Sequence, residues 1–359
     1  MSAAPTEGLT GNHPLLKLTE KKHRHTNNSR FLVSMCAFFL LGAVFWSFSA
    51  CAKKDTGNAG SKDDYTLKVG VIRALGTVTP YVSRELDLFT KKGIKVEFLD
   101  FTDGTAVGEA FAAGGLDIGY CGVAPAATWQ SKGVEYKIVA SANGGGHIIL
   151  TREGGGINTV ADLRGRKIAA PSAGTVTDTL LRDYILPRAG IDPKNDLTIV
   201  APVRPADMAV ALFVNKEVDA ILTWEPFASQ AESVYDDVKV LYDSPKEIKK
   251  VTGEDAFYSV NVVLAGTDLI EKHRALLQAY LDVNTETVEY INTDPGANAL
   301  IAKILSLDEG IVRQARERVD YTYKLNIDSL ERTLTWAKNL GYLSVIPPRD
   351  ELFDTSFVK

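Results

Sequence analysis

Gly76-Thr77-Val78-Thr79 returns letter for letter as Gly174-Thr175-Val176-Thr177, and each copy stands between a strand-like run and a helical pattern. LKVGVI (Leu67–Ile72) precedes the first copy, and RKIAAP (Arg166–Pro171) precedes the second. Beyond the first lie VSRELDLFTKKG, with helical spacing and a glycine stop at Gly93, then KVEFLDF, a helical stretch ending FAAGGLD, and DIGYCG. Beyond the second lie TDTLLRDYILPRAG, LTIVAPV, a stretch ending FVNKEVD, and AILTW. Phe111 precedes Asp117 by six residues and Phe213 precedes Asp219 by six, and the loops that follow close on Pro125 and Pro226. Four matching letters alone carry little weight. In register with the other matched elements they read as a duplicated βαβ plan, which predicts two similar α/β lobes, each a mainly parallel sheet flanked by helices.

The tetrapeptide itself has chemistry. Glycine allows a tight turn, and threonine is a competent helix N-cap. Unpaired amides at a helix start, at the positive end of its dipole, can hold an anion. Ligands of open parallel sheets bind outside the carboxyl ends of the strands. Two lobes facing each other would therefore aim two such turns at one cleft. The competing expectation is that each threonine only caps its own helix.

Composition bounds the rest. The chain has 359 residues, 45% apolar and 24% charged, enough for two ordinary domains with a full core. Lys plus Arg is 40 against 45 for Asp plus Glu, a net charge of −5. Five of those basic side chains (Lys17, Lys21, Lys22, Arg24, Arg30) and two acidic ones fall in the first fifty residues, so the body is more acidic still. A mildly acidic body without a Lys/Arg stripe argues against nucleic acid as a partner. Three cysteines exclude a disulfide framework, and only His147 and His273 lie beyond residue 50, so neither a metal site nor any cofactor is expected. No Walker motif, Gly-x-Ser-x-Gly elbow or HExxH occurs.

Residues 1–50 read as an address. The basic stretch KKHRHTNNSR leads into FLVSMCAFFLLGAVFWSF (Phe31–Phe48), which carries no charge, and then Ser49-Ala50-Cys51. A basic segment, an apolar core and small residues before a break describe a secretory signal peptide. Cys51 after Ser-Ala resembles the lipobox of bacterial lipoproteins, whose cysteine is lipidated; Phe48 departs from the usual leucine. An uncleaved anchor helix is the alternative. Either way the body is expected outside the cytoplasmic membrane, on a polar linker over residues 51–64.

Three phrases carry a family resemblance: LDIGYCGVAPAATW (Leu116–Trp129), INTVADLRGRKIAAPSAGTVTDTLL (Ile157–Leu181) and EVDAILTWEPF (Glu217–Phe227). Together and in this order they resemble the substrate-binding proteins of ABC importers, in the group handling aliphatic sulfonates, nitrate, taurine and thiamine-pyrimidine precursors. The resemblance implies the two-lobed periplasmic-binding-protein fold (type II) with two strand-like crossovers. Lobe one would take residues 65–140 and 258–359, lobe two residues 150–241, and the crossovers 141–149 and 242–257. Helices at Ala275–Tyr290, Ala297–Leu305, Glu309–Arg318 and Ser329–Asn339 would pack on lobe one.

Carried over by position, ligand contacts fall on Arg73, Leu75, Gly76 and Thr77, on Cys121, Gly122 and Val123, on Ser172, Gly174, Thr175 and Thr177, and on Trp224 and Glu225. Amides and hydroxyls would hold an oxyanion, and Trp224 would form an apolar or cation-π wall. Glu225 would either meet a ligand N–H or brace its loop. Arg73 would either neutralise an anion or pair with an acidic neighbour, and Cys121 is expected to be a packing residue rather than a reactive thiol. The implied function is capture of a small anionic or zwitterionic solute by lobe closure and delivery to an ABC permease, by a monomer held to the membrane through a lipid at Cys51. Two other classes stay open: an enzyme on this fold, such as thiamine-pyrimidine synthase, and a tethered ligand-sensing domain. The enzyme carries a CCCFC-type motif, whereas this body has Cys121 alone.

Overall fold

The computed structural model describes residues 65–253 and 258–358. The apolar leader, the lipidation site at Cys51, the linker and residues 254–257 of the second expected crossover lie outside the described residues. Among the described residues no helix is long and apolar enough to cross a membrane.

The duplicated plan is present strand by strand. β1 (Thr66–Ile72), β2 (Lys95–Phe101) and β3 (Ile118–Gly122) are followed by β4 (Tyr136–Gly145); β5 (His147–Arg152) opens a second sheet with β6 (Lys167–Ala169), β7 (Thr198–Val200), β8 (Ala220–Trp224) and β9 (Val238–Asp243). β10 (Ser259–Gly266) and β11 (Val319–Tyr321) return to the first. The sheet orders are β11-β4-β10-β3-β1-β2 and β7-β6-β8-β5-β9. Reading β2-β1-β3-β10-β4 against β7-β6-β8-β5-β9 gives the same order twice. β1 pairs in parallel with β2 and β3, as β6 does with β7 and β8.

The paired aspartates explain the echo. Asp117 Oδ2 accepts from the Lys68 amide at 2.7 Å and Asp219 Oδ2 from the Lys167 amide at 2.9 Å. Each fastens the start of its third strand to its first, so both copies need a carboxylate at that spot.

The sheets are mixed rather than mainly parallel. β10 runs antiparallel to β3 and β4, and β5 antiparallel to β8 and β9. These are the strands by which the chain enters each sheet from the other, so they arrive from the opposite end. The first passage is the bend at Gly145 and Gly146, with φ of 73° and 89°, conformations that favour glycine. The second is not wholly strand-like: it includes a helix, Ser244–Thr252, whose N-cap Asp243 accepts from the Lys246 amide and which has a proline in its first turn.

The C-terminal helices form at Arg274–Thr293, Ala297–Leu305, Glu309–Arg316 and Ile327–Asn339. Leu277, Tyr280, Leu281 and Ile291 are buried in the same apolar cluster as Leu67, Val69 and Val71 of β1. The Ile327–Asn339 helix differs from expectation, because it reaches both lobes. Its Trp336 ring lies 5.2 Å from Tyr184, while Thr333 Oγ1 donates to the Ser259 carbonyl. An apolar cluster that includes Phe111, Val123, Val176, Leu180 and Leu222 likewise joins the two lobes.

Candidate functional site

Between the lobes lies a cleft with about 600 Å³ of atom-free space, its mouth included. Its walls come from the ends of β1, β3 and β8, from both crossover strands and from the helix starts beyond them. Gly76, Thr77, Gly122, Thr175, Thr177, Trp224 and Glu225 line it. Arg73, Leu75, Cys121, Val123, Ser172 and Gly174 do not.

The two tetrapeptides serve the cleft differently. Thr77 ends a 3-10 turn, Leu75–Thr77, and its hydroxyl donates to the Ile72 and Ala74 carbonyls. Thr175 is a true N-cap: its Oγ1 accepts from the Asp178 amide at 3.2 Å and donates to the Ser172 carbonyl at 2.8 Å. Gly174, at φ 79°, donates its amide to Asp178 Oδ2 at 3.1 Å, and Tyr342 donates to the same oxygen at 2.8 Å. Both expected hydroxyls are thus spent on local structure. The Thr177 hydroxyl makes no hydrogen bond to another described residue, and Thr177 lines the cavity. The first amides of the helix that starts at Val176 have no intrahelical partner, nor do those of Val123–Gln130, which no side chain caps. The donors left for a ligand are therefore mainly backbone amides.

The remaining sequence candidates have other partners. Arg73 is half exposed outside the cavity, 3.4 Å from Asp100, with its guanidinium 5.1 Å from the Tyr81 ring centroid. Leu75 is buried and its carbonyl accepts from Tyr321 at 2.7 Å. Cys121 is fully buried, and burial pushes its thiol up to about 12, away from thiolate chemistry. Ser172 donates across the lobes to Asp103 Oδ2 at 2.9 Å, while Asp103 Oδ1 caps the Gly104–Ala112 helix. A Cβ on Gly122 would come within 2.8 Å of Val176 Cγ2, so the loops of the two lobes are in contact. This is a closed arrangement.

Several wall residues carry no simple sequence signal. Asn261 donates to Asn143 Oδ1 at 2.6 Å, a neutral amide pair in the floor. His147 shares its Nδ1 with the Tyr258 hydroxyl at 2.6 Å, and burial lowers its pKa to about 3, so the imidazole is neutral. Asp103 was legible as an N-cap in Asp-Gly-Thr, although its partner in the other lobe was not. Glu225 is buried, with Oε2 accepting from the Ser229 amide at 3.0 Å and Oε1 2.8 Å from Arg318. Burial raises its pKa, against the lowering pull of Arg318 and Ser229. Among the described residues no Lys or Arg lines the cavity, and no His, Cys, Asp and Glu group is placed to hold a metal ion.

Comparison with known proteins matches this architecture. A Bacillus subtilis (strain 168) protein named for aliphatic sulfonates binding is 29% identical over 78% of this chain and 82% of its own length. The ligand-binding component of an ABC-type import system from Staphylococcus aureus superposes with a TM-score of 0.70 at 16% identity, covering 81% of this chain and 97% of that one. The periplasmic aliphatic sulphonate binding protein SsuA from Escherichia coli gives 0.67 at 22%, covering 82% and 94%. The sequence profile of the NMT1-like family matches residues 60–306, and the chain belongs to that family.

Proposed function

We propose that this chain is the solute-binding component of an ABC importer, working outside the cytoplasmic membrane. It captures a small anionic or zwitterionic solute of the sulfonate, nitrate or taurine kind and hands it to a permease. The observation that carries this reading is the convergence of helix starts from both lobes on one cleft whose lining has amide donors and no Lys or Arg. A sulfonate head suits such donors, because several N–H groups can share one delocalised charge without a counter-cation. The apolar wall of Trp224, Val260 and Val319 suits a short organic tail. Residues 141–149 and 242–257 serve as the hinge between lobe one (65–140 and 258–359) and lobe two (150–241). Ligand contacts made to both lobes only when closed supply the energy of closure. The protein acts by binding, not by chemistry, as a monomer tethered through a lipid on Cys51.

A thermal-shift panel of ethanesulfonate, taurine, nitrate, benzoate and a hydroxymethylpyrimidine tests the solute class. At 100 times Kd, a binder adds about 2.7 kcal/mol of stability by mass action, a readily measured rise in melting temperature. Stabilisation by a sulfonate or nitrate supports the reading, whereas silence from every anion would overturn it. For the anchor, Cys51→Ser should abolish lipid labelling; an unmodified Cys51 peptide in native membranes contradicts it.

A further inference from the structure

Arg318 immediately precedes β11 in the six-stranded sheet, yet the carboxylates it meets all lie on or beside the five-stranded sheet. Its side chain is 10% exposed. Nη1 lies 2.8 Å from Glu225 Oε1 and 2.9 Å from Glu232 Oε1, and Nε lies 3.4 Å from Asp243 Oδ2. Glu225 follows β8, Glu232 sits on the Phe227–Val234 helix, and Asp243 ends β9. Gln314, from the same lobe as Arg318, also donates to Glu232. Among the described residues the only other cation paired with this group is Lys246, 3.0 Å from Asp243 and on the crossover side. One guanidinium from lobe one is therefore shared by three carboxylates gathered on and beside the second sheet.

The cluster touches the cleft from both sides. Glu225 adjoins Trp224 in one wall, and Val319, next to Arg318, stands in the other and pairs with Gly145 at the first crossover. We propose that Arg318 is a positioning residue for the cleft, clasping the lobes together through Glu225, Glu232 and Asp243. By doing so it sets the Trp224–Pro226 wall against Val319 and the Gly145–Gly146 bend. Arginine suits the task because its planar fork presents five N–H donors and can face three carboxylates at once, which an ammonium cannot. Without it three carboxylates face one another with, among the described residues, Lys246 alone to balance them, and separation of the lobes relieves the repulsion. The clasp rests on the closure reading above but on no particular solute.

Amide hydrogen exchange on the full chain, with no solute added, tests it using R318M and R318K. R318M should speed exchange at least about tenfold in peptides from both cleft walls, including residues 122–130 and 176–185, which do not touch Arg318. Residues 277–291, in the core of lobe one, should keep wild-type rates. R318K should fall between the two, because a lysine restores the charge but not the fork. A purely local brace would speed only residues 225–232 and 316–321, and that outcome, or no change, overturns the proposal. Should R318M unfold throughout, R318K decides: faster cleft walls with an unchanged 277–291 support the clasp, and unchanged walls reject it. A solute panel without any binder would sink the import reading while leaving this measurement intact.

Discussion

Gly76–Thr79 and Gly174–Thr177 share four letters and one place in the topology, yet they make different turns. In lobe one the next residue is Pro80, and the helix starts at Thr79 without a side-chain cap, after a separate 3-10 turn that buries the Thr77 hydroxyl on its own backbone. In lobe two the next residue is Asp178, which stands at the third helical position, donates its amide to Thr175 Oγ1 and accepts from the Gly174 amide through its carboxylate. Duplication has kept where the turn lies; the flanking residue decides what it does. Each turn leaves its last threonine hydroxyl without a partner among the described residues, but Thr177 lines the cleft whereas Thr79 is buried away from it.

The largest expected effect comes where the two lobes touch. Gly122 has φ −64° and ψ 145°, which any residue adopts, so only Val176 of the opposite lobe opposes a side chain there. Gly122→Val should act as a wedge against closure. Overpacking at the upper end of its usual cost, near 3 kcal/mol, corresponds to about a 100-fold loss of affinity for the tightest solute of the panel. Calorimetric titration giving wild-type affinity would show that the lobes need not meet as they do here.

Thr177→Val comes next. A lost hydrogen bond to a charged group is worth at least about 1.5 kcal/mol, roughly tenfold in Kd. Thr77→Val and Thr175→Val should behave oppositely, with affinity within about twofold of wild type. For Thr175→Val the lost cap should cost about 1 kcal/mol in denaturant unfolding. An affinity loss at Thr77 or Thr175 as large as at Thr177 would erase the distinction drawn between the turns. The smallest expected effect is that of salt. With no Lys or Arg in the lining, raising ionic strength from about 0.05 to 0.5 M should change Kd less than about twofold, since screening acts mainly on exposed charge pairs. A steep salt dependence would point instead to a cation such as Arg73.

Much of this was legible in the sequence because it is local or repeated. The Phe-to-Asp spacing marks the third strand of each lobe, since Asp117 and Asp219 bind the amides of neighbouring strands. Helical spacing placed the four C-terminal helices to within a few residues. The Ser244–Thr252 helix had a readable start in Asp243-Ser244-Pro245 that the expectation of a strand-like crossover overrode. The contacts that close the molecule had no such trace. Arg318 and Glu225 lie 93 residues apart, and Asp103 and Ser172 lie 69 apart. Those pairs exist only once two separately formed lobes have docked, so no period or spacing announces them. Arg73 was ambiguous for a related reason: its loop reaches the cleft through Ile72 and Ala74, while its own side chain turns outward to Asp100.

A crystal structure with the tightest anionic solute of the panel tests the account most directly. The anionic head should lie within about 3 Å of backbone amides at the helix starts that follow Gly122 and Thr175 in the cleft lining and of the Thr177 hydroxyl. No Lys or Arg side chain should touch it, and the Arg318 cluster should stay intact. An anion paired with Arg73, or seated outside the cleft between the lobes, would contradict the account.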